Sequence, residues 1–356
     1  MTHLWMRAEQ RPNEERAGLT PEGARRLIER GFHVTVEDSP TRILGIESYR
    51  DAGCEIVPAF CWPEAPREAI ILGLKELPDD NTPLVHRHIM FGHAYKGQPA
   101  GQRLLRRFIA GGGTLHDLEY LVDDQGRRVA AFGYWAGFAG AAVSLLAWAA
   151  QEKGDICPPV QAWPKKDALL CDLSACLDAT GTPRPDALII GALGRTGSGA
   201  GDLCAKMGVS VTRWDMAETA HGGPFPEVLE HALFFNCILA RTGTPVFVAD
   251  NAGSASRKLR VIGDIACDPE SDFSPVRVYD RATTWAEPAL RVHDAPPLDV
   301  MAIDNLPSLL PLESSRDFAN QLLPWLLTLD APDRGAWGRT KAEFIRHTQA
   351  LKGTPA

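Results

Sequence analysis

The residues best suited to chemistry are a lysine and a histidine beyond an apolar run, and three glycines between an apolar run and a helix. In GLKELPDDNTPLVHRHIMFGHAYK, residues 73–96, the run AIILGL gives way to Lys75 and Glu76, and His86, His88 and His93 follow. A metal site needs His, Cys or carboxylate donors that converge in space. His86 and His88 share one face of an expected strand, but no further ligand motif stands nearby. No metal is expected, and ordinary hydrogen bonds should satisfy both rings. Lys75 and His93 suit proton transfer instead. Ligands of open α/β sheets bind outside the carboxyl ends of strands, and a lysine partly desolvated there has a lowered pKa that Glu76 would pull back up. His93 titrates near neutrality without help. The alternative is a solvated strand end.

In ALIIGALGRTGSGAGDLCAKMG, Gly191, Gly194 and Gly197 form GxxGxxG between an apolar strand and a helix. Such a turn lets backbone approach a pyrophosphate, with the free N–H groups of a helix N-terminus aimed at its charge. The next expected strand, VSVTRWD, ends in Asp215. A carboxylate at that spacing accepts hydrogen bonds from the adenosine ribose of NAD and repels the 2′-phosphate of NADP. The coenzyme expected is therefore NAD. Arg195, inside the loop, is either a phosphate contact or a solvated charge.

These groups need elements to hold them. TPEGARRLIERG predicts a helix with Thr20 as N-cap, Pro21 at the first position and Gly31 as terminator. LWMRAE and HVTVED predict strands, the second half-buried by its alternation. AIILGLKE predicts a buried strand, GQRLLRRFIAGGG a helix, and RDFANQLLPWLLTLD and AEFIRHTQALKG closing helices, with KGDICPPVQAWPKKDALLCD irregular between the halves. Strands alternating with helices at this spacing imply a parallel α/β sheet. The 356 residues suffice for two domains, and a net charge of −8 gives no footprint for nucleic acid. The eight cysteines form no CxxC pair and read as cytosolic thiols. The start, MTHLWMRAEQRPNEER, lacks the apolar region of a signal peptide. VAAFGYWAGFAGAAVSLLAWAAQ, residues 129–151, carries no charge and approaches membrane-spanning length. It is rich in Ala and Gly, so a tightly packed buried helix between domains is expected, with no membrane partner.

RAEQRPNEERAGLTPEGARRLIERGFHVTVEDSP, ILGLKELP, LVHRHIMFGHAYK, DLEYLVDDQGRRVAAFGYWAGFAGAA, IIGALGRTGSGA, WDMAET, GGPF and IDNLPSLLP closely resemble the saccharopine dehydrogenase family, NAD-dependent and lysine-forming, from about Leu4 onward. The resemblance implies two Rossmann-like, doubly wound α/β domains with the active site in the cleft between them. The first would span 1–133 and 318–356 and the NAD-binding domain 134–317. It also implies oxidative cleavage of saccharopine, with NAD⁺ and water, to L-lysine, 2-oxoglutarate and NADH, by a cytoplasmic monomer acting on small molecules. By position, Lys75 would be the base on the secondary amine and His93 the acid–base group of imine hydration. Arg16, Glu76, Arg128 and Phe132 would bind substrate, with Ala266, Cys267 and Asp268. NAD would meet Gln98, Arg127, Gly191, Gly194, Arg195, Gly197, Asp215, Thr219, Leu239, Ile265, Ile303, Asp304, Asn305 and Leu306. Arg11, Glu14, Lys96 and Glu119 would balance the site's charge.

Three positions depart from the family pattern. Thr196 replaces a fungal cysteine, removing any thiol pairing with Cys237. Arg11 replaces a lysine, and Ala266–Asp268 (ACD) replaces SAD and loses a hydroxyl. The last leaves the exact substrate open, so one alternative is an opine-type dehydrogenase using another amine; a separate one is a non-catalytic NAD-binding homologue that keeps the fold.

Overall fold

The computed structural model describes residues 1–269 and 271–352. Thr20 caps the first helix by accepting Gly23 N–H at 3.1 Å, and Gly31 turns the chain out of it at φ 90°. This pattern of cap, helix and glycine stop sets the spacing of the first unit. Its elements are β1 (His3–Met6), α1 (Pro21–Glu29), β2 (His33–Asp38), α2 (Ile46–Asp51), β3 (Glu55–Pro58), β4 (Ile70–Leu72), β5 (Arg87–Met90), α3 (Pro99–Gly111) and β6 (Thr114–Asp117). The second unit holds α4 (Gly133–Glu152), α5 (Lys166–Asp178), β7 (Asp186–Ile190), α6 (Arg195–Lys206), β8 (Ser210–Trp214), α7 (Met216–Thr219), β9 (Leu233–Asn236), β10 (Val261–Asp264), β11 (Leu290–Asp294) and β12 (Pro297–Met301). Then α8 (Pro311–Leu326) and α9 (Gly335–Lys352) return to the first. The compact units are Met1–Ala131 with the chain from Pro311 onward, and Phe132–Leu310.

In the first unit six strands run in the order β3-β2-β1-β4-β5-β6, every pair parallel. That is the order of a doubly wound dinucleotide fold, whose crevice opens where the winding reverses, here between β1 and β4. The second sheet is ordered β11-β12-β10-β9-β7-β8, parallel except for the β11–β12 pair. Its winding reverses between β7 and β9.

Four expectations need correcting. HVTVED is not half-buried: Val34, Thr35, Val36 and Glu37 are all buried. Glu37 tolerates this because its carboxylate accepts four hydrogen bonds, from Trp5 Nε1 (3.1 Å), Ala8 N (2.7 Å), Phe60 N (2.8 Å) and Trp62 N (2.6 Å). The AIILGLKE strand pairs only through Leu72, so Lys75 stands three residues beyond it. KKDALLCD is not irregular but starts α5, and the return helix begins at Pro311, ahead of RDFANQLLPWLLTLD. Gly353, the end of AEFIRHTQALKG, lies outside the described residues.

α4 is long and apolar enough to cross a bilayer by length and composition, yet two thirds of its most apolar window is buried. It lies against α6 in the core of the second unit. A Cβ added at Gly137 would strike the Thr196 carbonyl, and one at Gly199 the Tyr134 carbonyl. Glycine is required at both because the two helices touch backbone to backbone.

Candidate active site

At the first unit's reversal point, charged residues leave β1 and grip the segment leaving β4. Glu9 accepts Leu74 N–H at 2.6 Å and Lys75 N–H at 3.0 Å. Arg7 pairs with Glu9 at 3.2 Å and donates to the Lys75 carbonyl. The Lys75 backbone is thus clasped by a buried ion pair, and the ammonium projects from a fixed stem. Sequence reasoning missed Arg7 and Glu9; the abrupt change from LWM to RAEQR was their only signal. Glu14 and Arg16 form a second buried pair, with Arg16 Nε 2.8 Å and Nη2 2.6 Å from the Glu14 oxygens. Although burial opposes it, the Arg16 charge and hydrogen bonds, with the Lys75 charge, hold the Glu14 carboxyl below its usual range. Glu76 is exposed and reaches Arg11 at 3.7 Å.

His93 follows β5 in a left-handed turn, φ 47°. Its Nδ1 lies 3.5 Å from Glu119 Oε2, and Lys96 Nζ lies 3.4 Å from Oε1. The His93 ring, then Lys96 and Arg128, hold the Glu119 carboxyl down to about 2 against its partial burial. Arg128 itself is exposed, beside its bridge to Val122. His93, Gly92, Glu76, Gln98 and Arg107 line a cavity of about 310 Å³. The structure therefore brings His93, Lys96, Glu119 and Arg128 into one electrostatic cluster. Arg127 turns instead to Asp123, with Nε 3.0 Å from Oδ2.

His86 and His88 are not catalytic neighbours of His93. His86 Nε2 meets the Ala65 carbonyl at 3.0 Å. His88 corrects the expectation of satisfied histidines, because neither of its buried ring nitrogens has a hydrogen-bond partner. Edge contacts with Trp62 and Phe108, at 5.1 and 5.4 Å, surround it, and burial pushes its pKa well down, so the ring is neutral. Among the described residues, the donor group that could hold a metal is elsewhere. His3, His33 and Glu55, on the first residues of β1, β2 and β3, bring ligand atoms within 4.8 Å of one another. That is the sheet edge opposite to Lys75.

In the second unit, the turn after β7 fits a pyrophosphate. Gly191 has φ 87°, and a Cβ at Gly197 would strike the Gly191 carbonyl. Gly194 caps α6 without a side chain, so the first N–H groups of that helix face outward. Asp215 follows β8 as the N-cap of α7, accepting Leu193 N–H at 3.0 Å and Met216 N–H at 2.9 Å. Its side chain also accepts the Glu218 N–H in a capping box, which leaves the carboxylate one lone pair for a ribose hydroxyl. A pocket of about 460 Å³ opens beside it, lined by Ile190, Asp215, Met216, Thr219, Ile238 and Phe247. Leu239 is exposed nearby in sequence. Ile265, Ile303 and Leu306 have their side chains in the core, which leaves a ligand only their backbone. Asp304 is exposed, and Asn305 donates to Ser308 Oγ at 2.7 Å. Phe132 is half-buried at the start of α4.

Residues 5–139 match the Alanine dehydrogenase/PNT, N-terminal domain family. Over nearly the whole chain the match is to Saccharopine dehydrogenase [NAD(+), L-lysine-forming]. The protein of that name from Candida glabrata is 45% identical, over 97% of this chain and 96% of its own length. That from Schizosaccharomyces pombe is 43% identical, over 98% and 99%, and that from Neurospora crassa 45%, over 98% and 97%. The chain belongs to the saccharopine dehydrogenase family. Two solved structures share its fold. An L-alanine dehydrogenase has a TM-score of 0.66 at 17% identity, covering 99% of this chain and 94% of that one. The transhydrogenase from Sinorhizobium meliloti scores 0.64 at 16%, covering 95% and 97%. Within the saccharopine dehydrogenase frame, the departing segment Ala266–Asp268 follows β10. Ala266 N–H donates to the Asn236 carbonyl at 3.3 Å, and Cys267 Sγ points to the Ala302 carbonyl at 3.5 Å. Burial, with acidic neighbours, pushes the Cys267 thiol up to about 12, so it stays protonated.

Proposed function

We propose that this chain is an NAD-dependent saccharopine dehydrogenase that cleaves L-saccharopine with water to L-lysine and 2-oxoglutarate, and runs the reverse condensation. The observation that carries the reading is the full-length match at 45% identity to relatives of that name. Bound NAD⁺ supplies the acceptor that oxidises the secondary amine to an imine. The chain's own residues move the protons. Lys75, on a stem fixed by Glu9 and Arg7, takes the amine proton as nitrogen loses its electron pair to the imine. His93, balanced by Glu119 at 3.5 Å, accepts a proton from water as oxygen adds to the imine carbon. It returns that proton to nitrogen as the C–N bond of the carbinolamine breaks, and the hydroxyl proton passes through water to the departing amine as the C=O bond forms.

Arg128 and Arg16 hold substrate carboxylates in this reading, a task suited to the guanidinium fork. Arg16 would share its fork with Glu14. Glu76, Phe132 and Ala266–Asp268 are the further substrate-binding residues of this reading. Asp215 and Thr219 take the adenosine ribose end of NAD, Gly191, Gly194, Arg195 and Gly197 the pyrophosphate, and Leu239 and 303–306 the remainder, with Gln98 and Arg127. The reading includes a cytoplasmic monomer. All eight cysteines are free thiols, as a reducing compartment would keep them, and sedimentation checks the monomer. The functional test is NADH oxidation with 2-oxoglutarate and a panel of amines. Lysine should be the preferred amine, and NADPH should be poor. Ornithine outperforming lysine would turn the assignment to an opine-type enzyme. NAD binding without turnover on any amine would leave a non-catalytic homologue.

A further inference from the structure

Asp117, the last residue of β6, is fully buried and takes part in none of the steps above. Its Oδ1 accepts Glu119 N–H at 2.9 Å. Its Oδ2 has no hydrogen-bond partner and lies against Gly92, where an added Cβ would sit 3.1 Å from that oxygen and 2.6 Å from Leu115 Cδ2. One carboxyl therefore touches both segments that carry the His93–Glu119 pair. Gly92 immediately precedes His93, whose left-handed turn needs an external hold. Glu119 receives its backbone anchor from the same side chain.

The charges around Asp117 are mixed. His93, Lys96 and Tyr95 come from the segment after β5, the Tyr95 hydroxyl being buried and unpartnered. Glu119, Tyr120 and Arg128 follow β6, and α9 brings Glu343, Arg346 and His347 toward Tyr95. Burial raises the Asp117 carboxyl to about 6, while the Glu119 amide and then the His93 ring pull the other way. Near neutrality Asp117 therefore carries a buried negative charge that is coupled to the His93 ring.

We propose that Asp117 is a positioning residue for the His93–Glu119 pair: its carboxyl fixes the Gly92–His93 turn to the end of β6 and gives the pair a charged neighbour. The proposal rests on the reading of His93 as the acid–base group. The isosteric Asp117→Asn keeps an acceptor for Glu119 N–H and removes the charge, whereas Asp117→Ala removes both.

The test is NMR titration of the His93 ring, identified by its loss in His93→Gln, together with pH profiles of saccharopine turnover. In Asp117→Asn the His93 pKa and the matching limb of the profile should move down by roughly one unit. In Asp117→Ala kcat should fall on the order of 10–100-fold through misplacement, with KM for NADH kept. Unshifted His93 titration in Asp117→Asn, with wild-type kcat in Asp117→Ala, overturns the proposal. If Asp117→Ala fails to fold, the titration of Asp117→Asn decides alone. A wild-type protein without turnover defeats the functional reading instead, and the titration still judges Asp117.

Discussion

At their winding reversals the two sheets present different surfaces. After β1 and β4 the first unit offers charged side chains, with Arg7 and Glu9 clasping Lys75 and Glu14 tied to Arg16. After β7 the second unit offers almost bare backbone, with Gly191, Gly194 and Gly197 and no side-chain cap on α6. One topology thus presents charged side chains at one reversal and bare backbone N–H groups at the other. The strand order supplies the crevice, and the residues leaving the strands choose its chemistry.

The largest expected effect tests the charged end. Lys75→Met and His93→Gln should each lower kcat by about 10²–10⁴-fold with NAD affinity nearly intact. EDTA should leave activity as it was, since His3, His33 and Glu55 lie at the opposite sheet edge. Loss of activity on chelation, or an undiminished kcat in Lys75→Met, would falsify the proton-transfer role. Next comes the bare end. Gly197→Ala should cost most of the NAD affinity, because its methyl has only backbone to push against. Asp215→Ala should weaken NAD less and narrow the preference over NADP. If isothermal titration finds wild-type NAD binding in Gly197→Ala, the pyrophosphate does not use this turn.

A smaller effect is expected at Arg128. Arg128→Lys should raise KM for 2-oxoglutarate with little change for NADH, because an ammonium cannot make two parallel N–H···O bonds. Equal losses for both would move Arg128 out of the substrate site. The smallest effect compares two buried strand-end acids, Asp117 of β6 and Asp264 of β10, both raised to about 6, chiefly by burial. A carboxyl whose folded pKa exceeds its unfolded value of about 3.9 contributes fully below that value, and its contribution is lost as pH rises through about 6. Asp264 is satisfied by Tyr279 OH at 2.7 Å and Asn236 Nδ2 at 2.8 Å; Asp117 has an orphan oxygen. At pH 8 Asp117→Asn should therefore raise Tm and Asp264→Asn lower it. The gain at 117 should vanish near pH 4. A gain at 117 that persists at pH 4 rejects the charge as its cause.

The glycine turn was readable in sequence because its constraint is local: a backbone at φ 87° and a contact between residues six apart. The cap of α1 was readable for the same reason. Lys75 was expected at a strand end but stands beyond one, because pairing with β1 and β5, not the apolar run, sets the end of β4 at Leu72. His88 looked like any polar ring on a strand. Its lack of a partner arises from Trp62 and Phe108, brought together only by the fold. Asp117 gave no signal at all, since nothing in HDLEY distinguishes a buried carboxylate from the exposed ones elsewhere. Distant packing decides burial, and periodicity reports only its average.

The contact between α4 and α6 has a consequence far from any ligand. α6 carries the glycine turn at its start, and α4 holds that helix at a separation set by Gly137 and Gly199 with no side chain between them. A substitution there cannot be absorbed by a change of rotamer. It must act as a lever, prying the start of α6 away from β7. Variation in the segment most easily mistaken for a membrane anchor should therefore surface as a defect in coenzyme handling.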